Sequence, residues 1–132
     1  MDLHLTDKVI IVTGGAKGIG AAAVELFARE GAIPVIVGRS PEVGRELLDR
    51  IDATGKRSLM IETELTEVDA CKRAIEETLE KLGQLDGIVH NAGINDGVSL
   101  RGGPEQFIES LQRNPFHVYH PTHIALDALI AT

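Results

Sequence analysis

Apolar residues in this chain fall into short continuous runs that alternate with longer stretches in which they recur every three or four positions. The first run, Val9 to Val12, is β-branched and is followed directly by four glycines between positions 14 and 20. Such a run is typical of a buried strand, and the spaced pattern after it is typical of an amphipathic helix. The apolar face predicted for this first helix consists of Ile19, Ala22, Ala23, Leu26 and Phe27.

The same alternation continues along the chain. Further apolar runs predict strands at 33–37, 59–61 and 85–90, and helical patterns separate them. Strands that alternate with helices pair as parallel neighbours joined by right-handed crossovers. The pattern therefore predicts a single α/β domain over residues 1–132, built on a doubly wound parallel sheet.

Polar and proline residues predict where the later helices start and stop. Thr66 with Asp69 three positions later resembles a capping box, which would start the third helix. A last helix is predicted to begin at Pro104. Because proline lacks an N–H and clashes with the preceding turn, we expect a kink or break near Pro115 and another near Pro121.

Composition and charge exclude several classes of function. The chain has 132 residues, of which 43% are hydrophobic and only 3% aromatic, and its net charge is −7. A negative chain without clustered cations is a poor partner for nucleic acid or an anionic membrane. A single cysteine, Cys71, cannot form an internal disulfide, and no apolar run reaches the roughly 20 residues that would span a bilayer. We therefore expect a cytoplasmic protein that does not contact membranes.

The glycine-rich turn after the first strand indicates phosphate binding. The N–H groups at the start of a helix are unpaired and carry the positive end of the helix dipole. Glycines without Cβ atoms allow a pyrophosphate to approach these groups closely. A strand, a glycine turn and a helix in this order are the context that a dinucleotide-binding motif requires.

Two motifs identify a family resemblance over the whole length of the chain. Residues Thr13 to Gly20 read TGGAKGIG, and Asn91 to Gly93 read NAG about 75 positions later. With these motifs the chain resembles the N-terminal half of the short-chain dehydrogenase/reductase family. The segment NAGINDGVSL is most similar to sugar dehydrogenases of the L-fucose dehydrogenase type. The resemblance implies a three-layer, Rossmann-type fold, with about four strands in the order 3-2-1-4.

The resemblance also implies which residues contact a nicotinamide dinucleotide. The glycine turn would lie under the pyrophosphate, Glu64 and Leu65 near the adenine, and the NAG turn beside the nicotinamide ribose. The cofactor-binding residues predicted in this way, together with the two cations discussed next, are Gly14, Gly15, Lys17, Gly18, Ile19, Gly20, Arg39, Glu64, Leu65, Asn91, Ala92 and Gly93.

The end of the second strand indicates which dinucleotide is preferred. An NAD site needs a carboxylate there, some 20 residues after the glycines, to accept hydrogen bonds from the ribose 2′-hydroxyl. This chain has Gly38 and Arg39 at those positions. Arg39 could pair with a 2′-phosphate, and Lys17 adds a second cation that resembles NADP-selective members of the family. NADP is therefore predicted over NAD, although both cations could instead be solvated surface residues.

The chemistry of the family depends on a Tyr, a Lys four positions after it, and a Ser. The only tyrosine here is Tyr119, and the residue four positions later is His123 rather than Lys. Asn114 alone resembles a member of the catalytic set, the helix-four Asn that holds a water in the proton relay. We therefore expect the 132 residues to be catalytically incomplete. Three histidines at helical spacing suggest a metal site, namely His117, His120 and His123. Because Pro121 interrupts the predicted helix between the second and third of them, we expect that they bind no metal.

The sequence leaves three interpretations of the chain open. The chain is predicted to be the NADP(H)-binding part of an oxidoreductase that acts on a small hydroxyl or carbonyl substrate such as a sugar. Alternatively, it is a stand-alone nucleotide-binding module or pseudoenzyme with a regulatory or assembly role, or a fragment that binds nothing useful. The fourth strand would form an open sheet edge, so we also expect a homo-oligomer that associates through this edge or through the last helix.

Overall fold

Four parallel strands form one sheet in the computed structural model, which describes residues 1–132. The strands are β1 (Val9–Thr13), β2 (Ile33–Gly38), β3 (Leu59–Glu62) and β4 (Gly87–Val89). The helices are α1 (Gly18–Arg29), α2 (Pro41–Asp52), α3 (Val68–Leu82), α4 (Gly103–Arg113) and α5 (Phe116–Ile130). The sheet order is β3-β2-β1-β4, which confirms the predicted order. None of the helices is long and apolar enough to cross a membrane.

The two central strands, β1 and β2, carry the core. All residues of both strands are buried, as expected for parallel strands covered on both faces. Alternate side chains of β1 enter different apolar clusters. Ile11 packs in a cluster that includes residues of α3 and α5, whereas Val12 packs with residues of α1 and α2. The predicted three-layer arrangement of helices on both faces of the sheet is therefore confirmed.

The predicted apolar face of α1 was right for Phe27, which packs against the core, but wrong for Ile19 and Leu26. Ile19 is 84% exposed and Leu26 is half-exposed, whereas the buried residues of the helix are Gly20, Val24 and Ala28. These three residues are spaced by four, and they form one stripe toward the sheet. In an alanine-rich helix several stripes satisfy the three-and-four spacing, so spacing alone does not identify the buried one. Glycine stands at the first position of this stripe because a Cβ atom on Gly20 would lie 2.5 Å from the carbonyl oxygen of Gly14.

Two of the predicted helix boundaries also differ from the structure. Helix α3 starts at Val68 with no side-chain cap, and the hydroxyl of Thr66 donates instead to the Glu64 carboxylate. A break does separate α4 from α5 at Pro115, as predicted. Pro121, however, lies inside α5, which continues through it to Ile130. The predicted capping box was therefore wrong, and of the kink or break predicted near Pro121 no break occurs.

Strand β4 is shorter than predicted and is fixed at its start by Asp86. Only residues 87–89 pair with β1. The Asp86 carboxylate accepts hydrogen bonds from Lys8 Nζ at 2.9 Å, from the Val9 amide at 2.8 Å and from Gln84 Nε2 at 2.8 Å. Burial by itself would raise the pKa of Asp86, but these hydrogen bonds and the Lys8 charge lower it below its usual value. The ionised carboxylate thus joins the amino ends of β1 and β4.

Candidate functional site

A cavity of about 680 Å³ opens where the carboxyl ends of the strands meet the glycine turn. Ligands of open parallel sheets bind in this kind of crevice, outside the carboxyl ends of the strands. The predicted site residues that line the cavity are Gly14, Lys17, Arg39, Glu64, Leu65, Asn91, Ala92 and Gly93. Those outside its lining are Gly15, Gly18, Ile19, Gly20 and Asn114. The predicted set therefore divides into cavity walls and residues that lie behind or beside them.

The backbone of the glycine turn packs tightly against the NAG turn. Gly14 has a φ of +64°, and a Cβ atom built on it would lie 3.0 Å from the Cα of Ala92. A Cβ on Gly20 would lie 2.5 Å from both the carbonyl oxygen of Gly14 and Nδ2 of Asn91. Real Cβ atoms do not approach other atoms to 2.5 Å, so position 20 requires glycine. Position 14 favours glycine because its φ is positive and the space beside Ala92 is tight. The turn thereby brings its backbone to the cavity without side chains in between.

The start of α1 is suited to an anion. Its first residue is Gly18, and the side chain of Lys17, at the N-cap position, makes no capping hydrogen bond. The first turn also contains no acidic residue that could neutralise the positive end of the helix dipole. The N–H groups of this turn therefore remain available to a phosphate group.

Thr13 connects the glycine turn to the NAG turn, although it was not among the predicted site residues. Its hydroxyl donates to the Val89 carbonyl at 3.4 Å and accepts from the amides of Asn91 at 3.0 Å and Ala92 at 3.1 Å. Nδ2 of Asn91 in turn donates to the carbonyls of Thr13 at 3.1 Å and Gly14 at 3.2 Å. The sequence feature that could have indicated this role is a hydroxyl residue at the end of an otherwise apolar strand, immediately before the glycines.

Asn114 supports the loop that follows the NAG turn. It caps the C-terminus of α4, where its Nδ2 donates to the Ser110 carbonyl at 3.2 Å. Its Oδ1 accepts from the Ile94 amide at 2.8 Å. The side chain therefore fixes the backbone next to the cavity, and a catalytic role for Asn114 stays a prediction.

Charged side chains line the cavity on the side of β2 and β3. Nη1 of Arg39 lies 3.6 Å from Oε2 of Glu64, and Oε1 of Glu64 accepts hydrogen bonds from the amide and hydroxyl of Thr66. Burial would raise the pKa of Glu64, but the hydrogen bonds from Thr66 and the charge of Arg39 lower it below its usual value. Lys17 and Arg113 also line the cavity, and Arg113 pairs with Glu109. The lining thus has three cationic side chains and one carboxylate.

One buried histidine lines the cavity, and a second, half-buried histidine lies near it. His117, on α5, lines the cavity and is 3% exposed, and His90 follows β4. Nδ1 of each ring is buried without a hydrogen-bond partner, while Nε2 of His90 lies 2.8 Å from the Thr122 hydroxyl. Burial lowers the pKa of both rings, and the nearby His117 lowers that of His90 further. Both rings therefore favour the neutral form. No group of three or more His, Cys, Asp or Glu side chains is arranged to hold a metal ion.

The lowered histidine pKa values predict a loss of stability at mildly acidic pH. Because the folded-state pKa lies below the unfolded value of about 6.5, the unfolded chain binds more protons as the pH falls. The stabilising contribution is thus complete above about pH 6.5 and is lost as the pH falls through the lowered values. Melting temperatures measured from pH 7.5 to 5.5 should fall for the wild-type chain and fall less for His117→Leu. His123→Leu, at an exposed position of the same helix, is the matched control. Equal losses in His117→Leu and the wild type would contradict the prediction.

Comparisons with known proteins agree with this geometry. A family model for short chain dehydrogenases matches residues 8–132. A protein named as a probable galactose dehydrogenase, from Rhizobium meliloti, is 38% identical over 117 residues, which are 87% of this chain and 46% of that protein. An A-factor type gamma-butyrolactone 1′-reductase of Streptomyces virginiae is 40% identical over 93 residues, which are 67% of this chain and 36% of that protein. The chain thus spans less than half the length of these two curated relatives.

Solved structures show the same likeness. The crystal structure of a short chain dehydrogenase from Burkholderia cenocepacia, in complex with NADP, superposes with a TM-score of 0.86 at 31% identity. The superposition covers 95% of this chain and 52% of that one. A family model that extends over nearly the whole chain and relatives above 30% identity lead to one conclusion. The chain belongs to the short-chain dehydrogenase family.

Proposed function

We propose that this chain is the NADP(H)-binding part of an oxidoreductase that transfers hydride between nicotinamide and a small hydroxyl or carbonyl substrate. The observation that carries the proposal is the cavity lined by Gly14 of the glycine turn, by Lys17 at the N-cap of α1 and by Arg39. A sugar is the first substrate to test, because the relative from Rhizobium meliloti is named for galactose. Bound nicotinamide would supply the hydride chemistry.

The residues present fit a dinucleotide along the length of the cavity. Gly14 lines the cavity without a side chain, so its backbone is open to a pyrophosphate that lies over the turn. The amide groups at the start of α1 would donate to its oxygens. The NAG turn, held by the Thr13 hydroxyl, would orient the ribose next to the nicotinamide. Each of these roles is binding or positioning.

Arg39 and Lys17 support NADP over NAD. Both side chains are exposed at the cavity, so either can turn toward a ligand. No carboxylate follows β2 directly to accept a hydrogen bond from the ribose 2′-hydroxyl, whereas the planar guanidinium of Arg39 matches the geometry of a phosphate. A charge-assisted contact of about 1.5 to 3 kcal/mol corresponds to roughly tenfold to hundredfold tighter binding of NADP.

The 132 residues on their own are expected to bind the cofactor without turnover. Tyr119 lies on α5 with 64% of its side chain exposed, stacks on His123 at 5.5 Å, and does not line the cavity. His123, not a lysine, stands four positions after this tyrosine, whose ring lies away from the cavity that would hold the cofactor. Proton transfer to the substrate would therefore require groups outside these residues.

Calorimetric titration of NADP and NAD into the purified chain tests the proposal. We expect NADP to bind more tightly, and Arg39→Gln to remove most of the difference by weakening NADP without changing NAD. Arg45→Gln, at an exposed position of α2 outside the cavity lining, is the matched control for the loss of one positive charge. Equal affinities for the two dinucleotides in the wild-type chain would contradict NADP preference. Binding of neither would contradict the proposed function.

A further inference from the structure

Glu64 is the single carboxylate among the cavity-lining residues, and it faces the cation expected to recognise the 2′-phosphate. The two groups lie on different strand ends, Arg39 after β2 and Glu64 after β3, 25 positions apart in the chain. Parallel pairing of Gly38 with Glu62 brings these strand ends together. The resulting ion pair is therefore built by the topology of the sheet.

The orientation of the Glu64 side chain is fixed by Thr66. One carboxylate oxygen accepts from the Thr66 amide at 3.2 Å and from the Thr66 hydroxyl at 3.0 Å. The other oxygen is left to face Arg39 at 3.6 Å. The Arg39 side chain is 70% exposed, and that of Glu64 is 42% exposed. The carboxylate is thus the fixed member of the pair, and the guanidinium is the member free to move.

We propose that Glu64 determines how strongly this site prefers NADP, because its carboxylate competes with the 2′-phosphate for Arg39. This inference rests on the proposed function. A 2′-phosphate that pairs with Arg39 must displace the guanidinium from Glu64 and approach a negative charge. The 2′-hydroxyl of NAD has no such conflict, since a hydroxyl can donate a hydrogen bond to a carboxylate. Glu64 therefore weakens NADP binding and leaves NAD binding unchanged or strengthened.

The expected size of the effect follows from the exposure of the pair. Exposed ion pairs contribute little because water screens them, and the upper end of the measured range corresponds to about a fivefold change in an equilibrium constant. This factor is smaller than the tenfold to hundredfold gain expected from Arg39 itself. Glu64 would therefore reduce the NADP preference without reversing it.

Glu64→Gln is the informative variant, because glutamine keeps the length of the side chain and an oxygen that can accept from Thr66. We expect the Kd for NADP to fall about twofold to fivefold, with the Kd for NAD unchanged or raised. Glu62→Gln is the matched control, since Glu62 is exposed at the end of the same strand and does not line this cavity. It removes the same charge and should leave both constants as they are in the wild type.

The mechanism is tested by repeating Glu64→Gln in an Arg39→Gln background. The gain in NADP affinity should shrink there, because no guanidinium remains to be released. An equal gain in both backgrounds, or no gain in the wild-type background, would overturn the competition with Arg39 while dinucleotide binding remained intact. A wild-type chain that bound neither dinucleotide would overturn the proposed function, and the inference with it.

Discussion

Gly20→Ala should severely weaken dinucleotide binding and destabilise the chain. The added Cβ atom would lie 2.5 Å from the carbonyl oxygen of Gly14 and 3.0 Å from the Cα of Gly15, both of which are backbone atoms. Alanine favours the helix over glycine by about 0.5 to 1 kcal/mol, whereas overpacking of this kind costs about 1 to 3 kcal/mol. The clash therefore outweighs the gain in helix propensity, and α1 must move away from the glycine turn.

Urea unfolding and NADP titration would measure the two effects of Gly20→Ala. Gly87→Ala is a suitable control, because its added Cβ would meet only side-chain atoms of Ile10 at 3.9 Å, an ordinary contact distance. The control should bind NADP like the wild-type chain. Wild-type affinity in Gly20→Ala would contradict the close packing of the glycine turn on which the site depends.

Thr13→Val should cost about 2 to 4 kcal/mol of unfolding free energy and loosen the NAG turn, because it leaves two backbone N–H groups without their acceptor. Valine keeps the branched shape of the fully buried threonine but removes its hydroxyl. That hydroxyl accepts from the amides of Asn91 and Ala92, so both amides would lose their partner at once. The loss concerns the wall of the cavity, and NADP affinity should fall as well.

Thr13→Ser separates the hydroxyl from the methyl group. Serine retains the oxygen that holds the NAG turn and deletes one buried methyl group, for which a cost of about 1 kcal/mol is expected. The order of unfolding free energies should be wild type, Thr13→Ser, Thr13→Val. If serine were as damaging as valine, the methyl group rather than the hydrogen bonds would be what position 13 contributes.

The parts of the fold that follow from local sequence were predictable. The β-branched runs predicted β1 and β2 because a strand buried on both faces needs a continuous apolar stretch. The buried stripe of α3, which contains Cys71, Ala74 and Ile75, follows from local spacing, since the other faces of the helix are strongly polar and allow only one buried side. The break before α5 followed from Pro115. In each case one local constraint excluded the alternatives.

The features that could not be predicted depend on contacts between distant residues. The buried stripe of α1 depends on how closely Gly20 approaches Gly14, which no spacing rule contains. Thr66 was predicted to cap α3, but it binds Glu64 instead because that carboxylate lies within its reach. The pairing of Glu64 with Arg39 requires knowledge of which strands are neighbours. Eight of the residues predicted to bind a cofactor line the cavity, but how they contact one another could not be predicted.

The stability of the cavity wall that follows β4 depends on the pairing of β4 with β1, and not on the rest of the sheet. It pairs with β1 over three residues and has no strand on its other side, while the NAG turn begins directly after it. Local opening of β4 would remove this wall of the cavity while β1, β2 and β3 stay paired. A ligand that needs the wall would then bind only those molecules in which β4 is paired with β1. Lys8 and Asp86, at the amino ends of the strands, are therefore expected to contribute to cofactor affinity from the far side of the sheet. Amide hydrogen exchange at residues 87–89, which do not line the cavity, would report cofactor binding without contact between these amides and the ligand.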